Sequence, residues 1–354
     1  MLDGVRVHYY RVHNPGYPRN RRIREYLTKH GASVTIAEPS QHRARLARLL
    51  GDIARLVRDA RRADVIILSE MRLQHAGYVG VIGKLIGRPV VVDGFIGLHE
   101  TEIGDWETSS TRSIRARILR LLDRIAIRAA DIYLVDTEVR ANRIRAFVPK
   151  RTVHSLPVGA PAWARPTDTV RVDGRLHVLY YGNYIPLHGL DFVLEALAAV
   201  VADRDIRATF IGDGPRRPLI QARAIELGLQ TRITFREPVP EPALRHEIAA
   251  ADIVLGIFGP SEKARSVIAN KVWQGLACGR MTLTQRSAAV AEIAPAAGSL
   301  LVQTEPGNAE SLAEALRRAP LAHGPASDIA EALEAVVRAG YDAFARDLAA
   351  VVSR

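Results

Sequence analysis

Two glycine-containing segments, each following an apolar run, have residue types suited to binding a phosphorylated ligand. The first reads Tyr180-Tyr-Gly-Asn-Tyr-Ile-Pro-Leu-His-Gly and continues into amphipathic sequence; the second is Gly212-Asp-Gly. Glycine permits close approach of a ligand to the backbone, and N–H groups at a helix N-terminus can hold a phosphate. An ordinary turn in an α/β protein would show the same glycines, so neither segment alone decides the question.

A third segment adds positive charge. After the apolar run that ends near Leu255, a glycine-rich stretch carries Lys263 and Arg265, and a helical stretch then carries Lys271 and Gln274. Such side chains can neutralise a diphosphate and hydrogen-bond a ribose. A solvated basic loop followed by an amphipathic helix would have the same composition.

The first half of the chain offers candidates for acid–base chemistry. Asp93 closes an apolar run and is the first choice for taking a proton, with His99 and Asp105 as second choices. Gly16 follows the first apolar run in a loop whose polar side chains are Arg11, His13, Arg19 and Asn20. Turn and capping roles explain these residues equally well.

Apolar runs alternate with helical stretches throughout, which is typical of a doubly wound α/β architecture with parallel strands buried on both faces. The strands predicted in the first half are 5–9, 33–37, 64–68, 89–92, 131–135 and 152–156. Those predicted in the second half are 176–181, 208–211, 232–235, 252–255, 281–284 and 300–302. Predicted helices include 19–30, 41–62, 75–85, 111–130, 327–339 and 341–352.

Residues 157–175 hold three prolines and two glycines and interrupt this pattern. We therefore predict a first Rossmann-like domain over 1–158, a linker over 159–175 and a second Rossmann-like domain over 176–338. Residues 339–354 are predicted to form a C-terminal helix that packs back on the first domain.

Charge separates the two halves. The chain of 354 residues carries a net charge of +11, and residues 1–155 contain 28 basic but only 16 acidic residues. Arginine-rich amphipathic stretches at 41–62 and 111–130 suit either an anionic membrane surface or a solvated outer face. The single cysteine, Cys278, excludes an intrachain disulfide and fits a cytoplasmic protein, with possible peripheral contact at the inner face of the membrane.

Together, the glycine and lysine segments resemble the donor-binding domain of GT-B glycosyltransferases, specifically the retaining family 4, over about residues 175–320. The matching residues are Gly182-Asn183, His188-Gly189, Gly212-Asp213-Gly214 and Asn270-Lys271 with Gln274. The resemblance implies two doubly wound parallel-sheet domains that face a cleft. It also implies that Gly16, Gly182, Asn183, Gly212, Gly214, Lys263, Arg265, Lys271 and Gln274 bind the donor nucleotide, and that Asp93, His99 and His188 are catalytic.

The chain departs from the family pattern at its charged anchors. Asn183 and His188 stand where the family has arginine and lysine, while Ser266 and Gln274 stand at its glutamate pair. Stabilising a departing diphosphate usually supplies a large part of catalysis, so Lys263, Arg265 and Lys271 are the expected substitutes.

The resemblance predicts a retaining glycosyltransferase that uses a nucleotide-diphosphate sugar and a small-molecule, glycan or lipid-linked acceptor, without a metal, a cofactor or nucleic acid. Two alternatives remain. One is a nucleotide-sugar epimerase on the same scaffold, and the other is an inactive protein that binds a membrane surface or nucleic acid.

Overall fold

The computed structural model describes residues 2–37, 45–105, 110–166, 173–321 and 327–353, without the side chains of 45–48, 104, 105 and 327. Within these ranges the chain forms two compact units, each containing a six-stranded parallel sheet. The first unit contains the described residues up to 103, those of 110–158 and those from 337 onward. The second contains the described residues of 159–336, with 104 and 105.

The first sheet has the strand order β2-β1-β3-β4-β5-β6. Its strands are β1 (Arg6–Tyr10), β2 (Ser33–Ala37), β3 (Val65–Leu68), β4 (Val90–Asp93), β5 (Ile132–Val135) and β6 (Thr152–Ser155). The helices between them are α1 (Pro18–Lys29), α2 (Arg45–Ala60), α3 (Ala76–Leu85), α4 (Ile114–Ala129) and α5 (Glu138–Phe147), with a π-helical segment at Glu100–Asp105.

The second sheet has the strand order β12-β11-β10-β7-β8-β9. Its strands are β7 (Leu176–Tyr181), β8 (Ile206–Ile211), β9 (Ile233–Arg236), β10 (Ile253–Leu255), β11 (Met281–Gln285) and β12 (Leu301–Thr304). The helices that follow α5 along the chain are α6 (Leu190–Val200), α7 (Arg217–Glu226), α8 (Leu244–Ala249), α9 (Asn270–Ala277), α10 (Ala288–Ala291), α11 (Ala294–Ala297), α12 (Ala309–Arg318) and α13 (Ser327–Val352).

The α/β architecture with two doubly wound parallel sheets is confirmed. Every predicted strand overlaps an observed one. Inner strands such as β3 and β10 are buried on both faces of their sheets, whereas the edge strands β2 and β9 keep exposed residues. The described residues of the predicted linker, 159–166 and 173–175, contain neither helix nor strand. Residues 41–44 of the predicted helix 41–62 lie outside the described part of the chain, as do residues 167–172 of the linker.

The prediction of two C-terminal helices divided near Gly340 is wrong, since α13 continues through this residue. Gly340 has a packing role: a Cβ there would lie 2.6 Å from the carbonyl oxygen of Ser155. In the same unit, His154 is 2.9 Å from a carboxylate oxygen of Asp347 and packs its ring edge-on to Phe344. The glycine thus allows close helix packing and does not end the helix.

No helix in the described ranges combines the length and the apolar character needed to cross a membrane.

A buried ion pair joins three strands at the carboxyl edge of the first sheet. Arg19 on α1 donates to both carboxylate oxygens of Asp93 at 3.1 Å, and both side chains are fully buried. The same guanidinium donates to the carbonyl oxygens of Val135 and Leu156. Arg19 therefore connects the ends of β4, β5 and β6 through one cation.

We expect Asp93→Asn to lower the free energy of unfolding by about 3–5 kcal/mol, because it leaves the Arg19 guanidinium buried without a counter-charge. Urea denaturation measures the loss. Asp64→Asn is the matched control, since Asp64 also pairs with an arginine, but Arg6 is 55% exposed there. The control should lose about 1 kcal/mol or less. Equal losses in the two variants would contradict a structural role for the Arg19–Asp93 pair.

Candidate functional site

The second sheet has its topological switch point between β7 and β10. From β7 the chain proceeds to β8 and β9 on one side, whereas β10, β11 and β12 lie on the other. In open α/β sheets, ligands bind outside the carboxyl ends of the strands at such a point. The loops after β7 and β10 and the start of α9 are therefore the candidate site of this unit.

Lys271, in the first turn of α9, places a buried amino group at this point. Its Nζ lies 4.1 Å from the centre of the Tyr180 ring, the residue is only 5% exposed, and no hydrogen-bond partner for Nζ exists among the described residues. Burial holds the pKa of Lys271 well below its usual value. A buried amine without a partner needs an anion to stabilise its charged form.

His188 adjoins the same point but supplies no positive charge at neutral pH. Burial, and then the charge of Lys271, lowers the pKa of His188 well below its usual value. Its Nδ1 contacts the carbonyl oxygen of Asn183 and lies 2.6 Å from the Tyr180 hydroxyl oxygen. Positive charge in place of the family arginine and lysine is therefore expected from Lys271 rather than from His188.

Gly182, Gly212 and Gly214 let the loops after β7 and β8 pack together. All three have positive φ values, 138°, 137° and 151°. A Cβ on Gly212 would lie 2.0 Å from the carbonyl oxygen of Gly182, and one on Gly214 would lie 2.6 Å from the backbone nitrogen of Tyr184. A Cβ on Gly182 would lie 3.1 Å from Lys271 Nζ. Two of these glycines therefore serve loop packing, and Gly182 borders the lysine.

The loop after β10 also depends on close packing. Gly189 has φ 61° at the start of α6, and a Cβ there would lie 2.5 Å from the carbonyl carbon of Phe258. Further along this loop, Lys263 is half-buried and near enough to His188 to lower its pKa, after the larger effects of burial and of Lys271. Arg265 is exposed. Of these two cations, Lys263 is therefore the one whose charge affects a residue of the candidate site, His188.

Gln274 is buried one turn after Lys271, and its Oε1 accepts a hydrogen bond of 2.7 Å from the Tyr181 hydroxyl. One of the oxygen's lone pairs is therefore already engaged by the protein. The sequence analysis did not identify Tyr180 or Tyr181 as site residues. Both lie in β7, whose apolar composition hides their hydroxyl groups among core residues.

In the first unit, the predicted catalytic residues do not meet. Asp93 is enclosed in its ion pair with Arg19, whereas His99 lines a separate cavity of about 310 Å³ with Asp123 and Arg140. His99 Nε2 accepts from Arg120 at 3.0 Å, and burial, followed by the charge of Arg120, lowers the pKa of His99. The side chain of Asp105 lies outside the described part of the chain.

Gly16 lies in a turn, where its backbone nitrogen donates to Asn14 Oδ1 at 2.9 Å. This hydrogen bond does not involve Asp93. The sequence analysis missed three polar residues near the end of β3, Glu70, Arg72 and His75. Glu70 is buried and accepts from Asn20 Nδ2 at 2.8 Å, so a polar run directly after an apolar strand was the available signal.

Comparison with known proteins agrees with this architecture. Residues 175–319 match the family model described as Glycosyl transferases group 1. A curated relative, 2-deoxystreptamine glucosyltransferase from Streptomyces kanamyceticus, is 25% identical over 277 residues, covering 71% of this chain and 70% of the relative.

Two solved structures share the fold over nearly the whole chain. HepE from Anabaena, in complex with UDP, superposes with a TM-score of 0.69 at 15% identity, covering 98% of this chain and all of HepE. Sucrose-phosphate synthase from Thermosynechococcus elongatus gives a TM-score of 0.68 at 15% identity, covering 98% of each chain. Residues 175–319 are therefore a glycosyl transferases group 1 domain, and the fold of the described chain is that of GT-B glycosyltransferases.

Proposed function

We propose that the chain transfers a sugar from a nucleoside-diphosphate sugar, held by the second unit, to an acceptor bound by the first. The observation that carries the donor assignment is the buried Lys271 ammonium without a hydrogen-bond partner at the switch point of the second sheet. A diphosphate placed there would supply the missing counter-charge. Lys263 adds positive charge from the loop after β10, and the Gly182 backbone borders the same space.

In the proposed reaction, the bond between the anomeric carbon and the phosphate oxygen breaks, and the acceptor hydroxyl oxygen bonds to that carbon. Negative charge grows on the leaving diphosphate, where Lys271 stabilises it. For transfer on one face of the sugar, with retention, the leaving phosphate takes the acceptor proton and no enzyme nucleophile takes part.

Relatives guide the choice of donor. HepE has been solved in complex with UDP and with UDP-glucose, so UDP and UDP-glucose are the first ligands to test. The relatives are transferases and do not favour an epimerase or an inactive binding protein. Product analysis by NMR with donor alone separates transfer from epimerisation.

The first unit also presents a surface suited to a membrane. We propose that an α3–α4 face, defined by Val81, Leu85, Ile114, Ile118, Leu121 and Ile125, docks on an anionic bilayer. Ile114 is 76% and Leu85 79% exposed. On α4 the four apolar residues are spaced i, i+4, i+7 and i+11, which forms one continuous stripe along the helix.

The arginines beside this face favour an anionic bilayer as its binding partner. Arg117, Arg124 and Arg128 are exposed and flank the stripe, and α4 contains a single carboxylate, Asp123. Asp123 accepts from the backbone nitrogens of Leu98 and His99 and so does not balance these arginines. Each arginine near an anionic surface contributes about 1 kcal/mol of binding, in addition to the burial of the apolar stripe.

We expect Lys271→Met to weaken UDP binding roughly 10- to 150-fold, because a charge-assisted contact contributes about 1.5–3 kcal/mol. Calorimetric titration measures the affinity. The stability of the free protein should stay equal or rise, since the variant replaces a buried amine that has no hydrogen-bond partner with an apolar side chain. Lys29→Ala, at an exposed position on α1, is the control. Unchanged UDP affinity and sugar transfer in Lys271→Met would overturn the donor-site assignment.

Binding of UDP should be accompanied by proton uptake. The pKa of Lys271 is depressed in the free protein, and a bound diphosphate raises it again, so the amine gains a proton between the two values. UDP affinity therefore falls as the pH rises through this range. Titrations in two buffers of different ionisation enthalpy measure the uptake. The same uptake in Lys271→Met would assign it to another group.

Flotation with vesicles tests the α3–α4 face. We expect the protein to float with vesicles of phosphatidylglycerol and phosphatidylcholine, and Ile118→Glu/Leu121→Glu to abolish flotation. Leu219→Glu/Ile225→Glu is the matched control, because these α7 residues of the second unit are 55% and 64% exposed. Equal loss in both pairs would contradict the assignment. So would a monomer–dimer change in the α4 variant without vesicle binding, since the face would then join two copies.

A further inference from the structure

The first sheet has a switch point of its own, between β1 and β3. Tyr10 at the end of β1 pairs in register with Leu68 at the end of β3, and Ser69 donates its backbone N–H to the Tyr10 carbonyl at 3.1 Å. The two segments that follow these strands therefore leave the sheet side by side. We call the space beside Arg11, Glu70, Met71, Arg72 and His75 the β1–β3 crevice.

Both segments contain a strained residue. Arg11 has φ 60° and Met71 has φ 59°, and they are the non-glycine residues with positive φ within the described ranges. The left-handed conformation costs a non-glycine residue about 1–2 kcal/mol. Arg11 is held there by an ion pair of 2.5 Å with Asp52, itself buried. Such strain clusters at functional sites, where the surrounding structure maintains it.

Arg72 is the unbalanced charge of the crevice. Its guanidinium has neither a hydrogen bond nor an ion pair with any described residue, and its Nε is buried without a partner. Burial, and then the charge of Arg11, lowers the pKa of Arg72; the opposing attraction of Glu70 is smaller. Glu70 is engaged instead by Asn20 and Ser69.

The positive charges of the crevice also act on His75. Burial lowers the pKa of His75 to about 4, and the charges of Arg11 and Arg72 add to the effect more than Asp52 opposes it. The neutral ring packs edge-on to Tyr78 at 5.6 Å. Two groups on one segment therefore experience net repulsion from their cationic neighbours, which an anion would relieve.

We propose that the β1–β3 crevice binds an anionic group of the sugar acceptor, a phosphate or a carboxylate, through Arg72 with Arg11 beside it. The identification of the bound molecule as a sugar acceptor rests on the proposed glycosyl transfer. The anion site itself does not depend on that function. A preference for an anionic acceptor would distinguish this chain from the curated relative. 2-Deoxystreptamine, in that relative's name, is a diaminocyclitol that is cationic at neutral pH, and the crevice repels cations.

Inorganic phosphate tests the anion site without any assumption about activity. Thermal unfolding is followed against phosphate at constant ionic strength in a Lys271→Met background, which removes the candidate donor site. Phosphate should stabilise this protein, and Arg72→Gln should remove at least half of the shift. Arg62→Gln, at an exposed arginine after α2, should keep it. Equal shifts in both variants would overturn the proposal.

Charged sugars then distinguish the source of the anion. Glucose 6-phosphate and glucuronate are compared with glucose in the same assay. The first two should stabilise the protein more than glucose, and the stronger of them identifies the phosphate or carboxylate class. Equal effects of all three sugars would overturn the proposal. Because Arg72 has no partner to lose, Arg72→Gln should retain the unfolding temperature of the parent without ligand.

Transfer assays with UDP-glucose connect the crevice to the reaction. Anionic sugars should be better acceptors than neutral ones, and 2-deoxystreptamine should be the poorest. Arg72→Gln should raise the acceptor KM at least 10-fold and leave the donor KM unchanged. A raised donor KM instead, or good use of 2-deoxystreptamine, would overturn the proposal. If no transfer occurs to any acceptor, the proposed function fails, while the phosphate titration still decides the anion site.

Discussion

A buried amine without a hydrogen-bond partner needs an anion to stabilise its charged form, and the candidate site of the second unit is organised around one. The Lys271 amine lies against the Tyr180 ring, beside Gly182, with neutral His188 nearby. The glycines after β7 and β8 allow their loops to pack closely enough to enclose this space. The unmet charge, rather than any complete set of family anchors, makes this edge of the sheet suitable for a diphosphate.

The first unit shows the contrast between structural and functional burial of charge. Arg19 and Asp93 satisfy each other, and Arg19 also donates to two backbone carbonyls, so this pair connects the ends of three strands. Arg72 lies at the same carboxyl edge without such partners. A buried charge needs compensation, which Arg19 finds within the protein. Arg72 is only partly buried, and the proposed anion site would supply the partner that its buried Nε lacks.

Much of the fold was predictable because apolar runs between turn residues report burial directly. The family resemblance predicted Lys271 as a donor-binding residue, and the structure places it at the switch point of the second sheet. The two-helix prediction at the C-terminus failed because Gly340 was interpreted as a helix end, whereas it permits contact with the Ser155 backbone. The Arg19–Asp93 ion pair was not predictable, because its two residues are 74 positions apart in the sequence.

The sequence by itself determined the two parallel sheets, the positions of their strands, and the polar residue types that follow each strand. A continuous apolar run is a feature of the local sequence, so the local pattern was sufficient to predict these strands. Tertiary structure alone decided which of those polar groups are neutralised and which remain unpaired. Charge compensation depends on partners distant in sequence, as Arg19 with Asp93 and Arg11 with Asp52 demonstrate, and no spacing along the chain encodes those distances.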